Sequence, residues 1–455
     1  MAPLKPLPEP PPLLISGGTL LTLDERATVL RSTDLLIERG RIAAVGRSLL
    51  APPGARRIDA RDQIVLPGLV QGHVHLGQTL FRGLAEGRRL LSWLRERIWP
   101  LEAAHDDASA HASGLLGAAE CLLGGTTTVQ EIGLGPGIEG LLAAIAESGL
   151  RAVAGKCLMD GGEGMPHGLV EPASRTLADA VRLGEKLEAG EYGRIRPVLN
   201  PRFALSCSDG LWRELAAVAA DKRWPIHTHA LEQREETRAV RDAHGGRDEI
   251  DYFADLGLLE QDLRIAHGVW LGRRHLARLA ESRFGIVHCP SSNLKLGSGV
   301  APIVRFRRAG IPVGVGADGA PCNNRLDAWT ELRLAAQLAA VQSGPGSISG
   351  LEALRLATNE GARVLGLEDE IGTLEVGKRA DLVVLSLARP ELSAADSVDP
   401  HDLVAFGASP ASVVHVAVEG ELLVTDGRLT RLDLEAIGRA ATQQANALLL
   451  RAVLT

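Results

Sequence analysis

Aromatic side chains are scarce in this chain: Trp, Tyr and Phe together make up 3% of 455 residues. So thin a supply does not furnish stacking platforms for single-stranded nucleic acid. Basic runs are missing as well. The 49 Lys and Arg are outnumbered by 56 Asp and Glu, giving a net charge of −7, and phosphate-backbone binding, which needs a basic face, is not expected. No stretch approaches the roughly 18 uninterrupted apolar residues of a membrane span. The opening MAPLKPLPEPPP has prolines where a signal peptide has an apolar core, so residues 1–12 read as a flexible lead-in and a cytoplasmic location is expected. The five cysteines (Cys121, Cys157, Cys207, Cys289 and Cys322) are odd in number and lack Cys-x-x-Cys spacing. They disfavour a disulfide framework or a thiolate metal cage, fit a reducing compartment, and read as small core residues.

A chain of this length can bury a large core. Residues 13–66 read as short strands separated by Gly-rich turns, as in LLISGGTLLTL and TDLLIERGRIAAVG. Residues 377–455 return to that texture with RADLVVLSL and ASVVHVAVEGELLVTDGRL, then end in a helix. The two flanks are expected to pair into one discontinuous β-sandwich domain. Between them, over 67–376, apolar runs alternate with amphipathic stretches such as LADAVRLGEKLEAG, the pattern of βα units around a parallel sheet. Eight candidate strands fall at 64–75, 126–132, 151–158, 195–206, 225–231, 264–270, 284–289 and 311–317. Eight such units suit an α/β fold of the (β/α)8 TIM-barrel type, with a doubly wound open sheet as the alternative.

The chemistry-bearing residues stand at the ends of these runs: His73-x-His75, His229-x-x-Glu232, His267 and Asp318. In a barrel of this type the C-terminal strand ends carry the active site. A single His-x-His pair is weak evidence, and His227-x-His229 is a second one in which His227 reads as structural. The joint pattern is stronger. The two-residue period of a strand points His73 and His75 to one side and Val74 to the other. Three imidazoles and the Asp318 carboxylate form a donor set suited to a divalent metal such as zinc. Glu232 and His267 can then move protons around an activated water.

At PGLVQGHVH, HTHALE, IAHGVW, VHCPSSNLKLGSG, GADGAPCNNRLD and EIGTLEVGKRADLVV the chain resembles the amidohydrolase superfamily, from about residue 13 to 430. Within it the chain looks like the mononuclear aminohydrolase branch that deaminates adenosine-type nucleosides and purines and hydrolyses s-triazines. The resemblance implies one zinc per subunit held by His73, His75, His229 and Asp318, although Fe2+ or Mn2+ can occupy such sites. Some relatives bridge two metals with a modified lysine after the fourth strand. Here that strand reads RPVLNPRFALSC, with Arg202 and no lysine, which implies one metal. The resemblance also makes Asp318 the acceptor of the water's proton, Glu232 the donor to the ring nitrogen, and His267 a partner of the water or leaving group. His288 either supports Asp318 or packs.

In LLSWLRERIWPLE the resemblance places Trp93 against the ligand and Glu102 on ribose hydroxyls. A carboxylate accepting from two vicinal hydroxyls is sound sugar-recognition chemistry. Close relatives carry a histidine after the fourth strand, whereas Pro201-Arg202-Phe203 stands here, as in guanine deaminases, so Arg202 is expected to face substrate. Lys156 matches a basic residue that holds an amino-acid tail in relatives, and Arg175 is a second candidate. The expected reaction converts a 5′-deoxyadenosine, methylthioadenosine or S-adenosylhomocysteine type of nucleoside to its inosine-type product and ammonia. The alternatives are a guanine or 8-oxoguanine deaminase and an s-triazine hydrolase. A non-catalytic scaffold would lack several of His73, His75, His229 and Asp318, and all four are present. The expected partners are a small-molecule substrate and other copies of the chain in a homo-oligomer.

Overall fold

The computed structural model describes residues 9–393, 398–452 and 454. The first eight residues of the expected lead-in lie outside these. The chain folds as an α/β protein in which one mixed sheet, built from both flanks, adjoins a body of parallel strands and helices.

The flank sheet begins with β1 (Leu13–Leu21), β2 (Val29–Glu38), β3 (Arg41–Gly46), β4 (Arg56–Asp59) and β5 (Gln63–Pro67). The two-residue connection Arg39-Gly40 between β2 and β3 has φ of 51° and 72°. Positive φ at both positions gives a turn whose twist matches an antiparallel hairpin. The body supplies β6 (Leu69–His75), β7 (Thr126–Glu131), β8 (Arg151–Ala154), β9 (Cys157–Leu158), β10 (Ile195–Pro197), β11 (Asn200–Pro201), β12 (Ile226–Ala230), β13 (Leu263–His267), β14 (Phe284–His288), β15 (Val313–Val315) and β16 (Asp318–Gly319). The C-terminal flank adds β17 (Leu382–Ser386), β18 (Val413–Val418), β19 (Glu421–Thr425) and β20 (Arg428–Leu429), then a helix over Leu434–Arg451. β17 pairs antiparallel with β5, from Leu382 opposite Pro67 to Ser386 opposite Gln63. This register joins the two ends of the chain into one nine-stranded sheet around a core that includes Ile15, Leu35, Val65, Leu382 and Val384.

In the body, parallel pairing runs from β6 to β7, β8 and β10, with β9 beside β11. Single parallel bridges, Leu199 with Ile226 and Phe203 with His229, carry it to β12. It continues through β13, β14 and β15, and β16 pairs back with β6. The candidate strand at 64–75 is two strands. β5 belongs to the flank sheet and β6 to the body, and they part at Gly68, where a Cβ would lie 2.2 Å from the Thr127 side chain. The expected strand at 195–206 is likewise broken, because Pro197 and Pro201 remove ladder donors; a 3-10 turn follows at Ala204–Ser206. A buried bidentate pair fastens the flank to the body. Arg151 on β8 donates to Asp381 through Nε at 2.7 Å and Nη2 at 3.0 Å. All five cysteines are free and buried. Among the described residues, no helix is long and apolar enough to cross a membrane.

Candidate active site

β6 brings His73 and His75 to the same end of the body as His229 on β12, His267 at the tip of β13 and Asp318 on β16. His267 and Asp318 both have left-handed backbones, with φ of 76° and 61°. Non-glycine residues in that region are strained, and such strain concentrates at functional sites. One donor atom from each of His73, His75, His229 and Asp318 lies within 4.8 Å of the others. Asp318 Oδ1 is 3.3 Å from His73 Nε2 and 3.2 Å from His75 Nε2, while the Nε2 atoms of His75 and His229 are 3.1 Å apart.

The tautomers follow from the outer partners. His229 Nδ1–H donates to the Arg202 carbonyl at 2.7 Å, which leaves its Nε2 lone pair facing the centre. His227 Nδ1–H donates to the Arg264 carbonyl at 3.2 Å, so its Nε2 accepts from His73 Nδ1–H at 2.7 Å. The Nε2 lone pair of His73 is thereby aimed inward, and that buried atom has no hydrogen-bond partner among the described residues. Orientation of a ligating imidazole through its other nitrogen is typical of metal sites. Burial holds His73 neutral, with its pKa down to about 4 against the opposing pull of Asp318. Burial also pushes His229 well below the usual histidine range, helped by the neighbouring imidazoles His73, His75 and His267. Burial favours the protonated acid at Asp318, but the adjoining His73 and His75 rings outweigh it and hold the carboxyl well below the usual range. Neutral imidazoles and an ionised carboxylate are what a divalent cation requires, so the donor set fits one.

Glu232 follows β12 and lies 2% exposed. Burial, and then the charge of Asp318, push its pKa up to about 8, against the opposing effects of Ser298 and Arg202. His267 stands between the two carboxyls: its Nε2 is 3.5 Å from Glu232 Oε2 and 3.9 Å from Asp318 Oδ2. Its Nδ1 meets Asn293 Oδ1 at 2.9 Å. These groups open on a narrow cavity of about 20 Å3 walled by Leu90, Trp93, Leu94, Phe203 and Leu296, with Arg202 at one side.

Glu102 and Arg202, 100 residues apart in sequence, are paired: Arg202 Nη1 donates to Glu102 Oε2 at 2.7 Å, and Gln78 Nε2 donates to Oε1 at 2.7 Å. Both charged groups are buried. Trp93 lines the cavity and its indole Nε1 has no hydrogen-bond partner among the described residues. Lys156 does not line the cavity; its ammonium pairs with Glu171 at 2.5 Å and Asp179 at 3.4 Å. Arg175 is exposed. His288 is fully buried, neither ring nitrogen has a partner among the described residues, and burial takes its pKa down to about 3.

Several contributors were not singled out from sequence. Ser292 Oγ donates to Asp318 Oδ2 at 2.6 Å and Ser298 Oγ to Glu232 Oε1 at 3.2 Å. Glu236 Oε2 accepts from the backbone N–H groups of Glu232 at 2.7 Å and Gln233 at 3.1 Å. Glu131 accepts from the N–H of Leu76, just past His75, at 2.7 Å. The segment PSSNLKLGS, one turn beyond β14, held a signal in its density of small polar residues; Glu131 and Glu236 carried none. A second group, Asp248, Asp251 and His275, also has its donor atoms close together. The Arg274 guanidinium already fills it, donating to Asp248 at 2.7 Å.

Residues 64–423 match the amidohydrolase family. The 5-methylthioadenosine/S-adenosylhomocysteine deaminase of Halobacterium salinarum is 36% identical over 450 residues, covering 97% of this chain and 99% of its own. The 5′-deoxyadenosine deaminase of Methanobrevibacter smithii is 35% identical over 408 residues, covering 90% and 92%. Among solved structures, an adenosine deaminase from Xanthomonas campestris with bound zinc superposes with a TM-score of 0.88 at 30% identity, covering 98% of this chain and all of the other.

Proposed function

The chain belongs to the amidohydrolase family, and from that membership we propose that it is a metal-dependent deaminase that hydrolyses the exocyclic amine of an adenosine-type nucleoside to a carbonyl and ammonia. The observation that carries this reading is the division of labour between two carboxyls on either side of His267. The Asp318 carboxyl is pushed down beside His73 and His75, and the Glu232 carboxyl is pushed up by burial to about 8, with His267 Nε2 3.9 Å from the first and 3.5 Å from the second. Neighbouring titratable groups pushed in opposite directions are the mark of an acid/base pair.

His73, His75, His229 and Asp318 would hold a single divalent cation, with zinc preferred, and Arg202 in place of a lysine supports one metal. When bound, such a cation lowers the pKa of water so that a hydroxide nucleophile is available near neutral pH. Asp318 Oδ2 takes the water's proton as attack on the ring carbon begins. Glu232, neutral and buried, donates its proton to the adjacent ring nitrogen, which makes the carbon electrophilic and relieves charge in the tetrahedral intermediate. His267, fixed through Asn293, relays the proton taken up by Asp318 to the departing amine, and Glu232 regains its proton from the new hydroxyl as the carbonyl forms. Trp93 covers the base, and Glu102, which is held by Gln78 and Arg202 and does not itself line the cavity, would reach ribose hydroxyls through a shift of that cluster. The apolar wall excludes bulk water from these steps.

The pairing that leaves β6 and returns to it through β16 supports a closed (β/α)8 barrel over 67–376. The joined flanks, 13–66 and 377–455, form the second domain of this reading, the nine-stranded sheet standing where a sandwich was expected. The testing experiment is ammonia release by zinc-loaded protein from 5′-deoxyadenosine, methylthioadenosine, adenosine, guanine, 8-oxoguanine and an aminated s-triazine. Turnover of the nucleosides is expected. Turnover of the bases or the triazine alone would overturn the nucleoside assignment while leaving the hydrolase.

A further inference from the structure

Gln233 directly follows the proposed proton donor Glu232 and is 3% exposed. Its side-chain amide stands between two backbone groups of opposite kind. The Leu90 N–H donates to Oε1 at 3.3 Å, and Nε2 donates to the Leu296 carbonyl at 2.8 Å. A donor on one side and an acceptor on the other settle which end of the amide is oxygen and which is nitrogen. The second Nε2–H donates to Ser298 Oγ at 3.2 Å. That nitrogen cannot accept, so the one proton of the Ser298 hydroxyl goes to Glu232 Oε1, also at 3.2 Å. The other oxygen of Glu232, Oε2, lies 3.5 Å from His267 Nε2. His267 donates Nδ1–H to Asn293 Oδ1 at 2.9 Å, which in the neutral ring leaves a lone pair on that Nε2. One carboxyl oxygen therefore meets a donor and the other meets a lone pair.

We infer that Gln233 and Ser298 are positioning residues that fix the transferable proton of Glu232 on Oε2, the oxygen facing His267, by committing Oε1 to accept from Ser298. The inference rests on the deaminase reading, in which Glu232 is the acid. Without the Gln233 amide the Ser298 hydroxyl is free to turn away, Oε1 loses its donor, and the proton divides between two oxygens. A proton carried part of the time on the wrong oxygen slows its delivery, so the loss falls on kcat rather than on KM. The loop itself keeps a separate anchor, because the Trp270 indole Nε1–H donates to the Ser298 carbonyl at 3.1 Å.

The experiment joins infrared absorption to a double-mutant cycle, both on zinc-loaded protein. In weakly acidic buffer the carboxylic C=O band of Glu232 is assigned by its loss in Glu232→Gln. A hydrogen bond accepted at the carbonyl oxygen lowers that band, so Ser298→Ala and Gln233→Met should each raise its frequency, while Ser298→Thr should leave it in place. In the cycle, Gln233→Met and Ser298→Ala should each lower kcat for a nucleoside about tenfold, with KM within about threefold. Together they should cost no more than one alone, because both act through one hydrogen bond. Losses that multiply in the double variant, or a band that Ser298→Ala does not move, would overturn the inference and leave the deaminase reading standing. The expected band shifts without turnover of any nucleoside by the parent protein would sink the deaminase reading and leave the proton on Oε2. Should Gln233→Met not fold, the band in Ser298→Ala against that in Ser298→Thr still decides.

Discussion

At the scale of single residues, the proposed mechanism separates atoms that would hold a metal from atoms that would move protons. Glu232→Gln keeps the size of the side chain and leaves His73, His75, His229 and Asp318 untouched. It should retain metal, read by elemental analysis, while kcat falls by about 10²–10⁴-fold, the usual worth of general acid catalysis. Retained turnover would remove Glu232 as the proton donor. His227 acts one step further out, since its Nε2 fixes the tautomer of His73. His227→Leu should weaken metal affinity by about 10–100-fold, read by competition with a chelator; unchanged affinity would mean that β6 alone orients His73. The difference between these two residues is also the measure of what the sequence made legible. His73, His75, His229 and Asp318 announce themselves because strand ends and a two-residue period put them on one side. The role of His227 depends on a carbonyl 37 residues away. The Glu102–Arg202 pair spans 100 residues, and nothing local to either residue encodes it.

At the scale of elements, apolar runs located the strands and missed their breaks. The run from Ile64 to His75 is continuous in hydrophobicity, yet the chain changes sheets at Gly68 because the Thr127 side chain leaves no room for a Cβ. A close approach from residue 127 is invisible to a window around residue 68. The pairing of the flanks was legible in their shared texture, but its register was not. Neither was the ion pair that fastens it, since Arg151 and Asp381 are 230 residues apart. Asp381→Asn removes the charge partner of an arginine with almost no access to solvent. Such a change is expected to destabilise by about 3–5 kcal/mol, read as a lower denaturant midpoint. A midpoint within experimental error of the parent would mean that Glu419, 3.9 Å from Arg151 Nη2, takes over the pairing.

For the whole molecule, stability should depend on acid through a buried imidazole outside the metal site. His105 packs beside Phe81, with Nε2 facing the Gly77 carbonyl at 2.9 Å and Nδ1 facing Ser109 Oγ at 3.0 Å. Burial lowers its pKa to about 4, against the opposing pulls of the Gly77 carbonyl, Glu102 and Asp106. The unfolded chain protonates this imidazole near its ordinary value of 6.5, so between the two values the unfolded state binds the extra proton. His105 therefore contributes fully above about pH 6.5, and its contribution is lost as pH falls toward 4. About 2.5 pKa units correspond to roughly 3 kcal/mol across that window. His105→Gln cannot take up this proton in either state. In metal-free protein the parent's unfolding free energy should fall more steeply than that of His105→Gln between pH 6.5 and 4, and the two curves should run parallel above pH 7. The ligand histidines titrate in both proteins and cancel in the difference. Parallel curves over the whole range would mean that His105 gains access to water or a proton partner in the folded state, and the acid sensitivity of the fold would then lie with other buried groups.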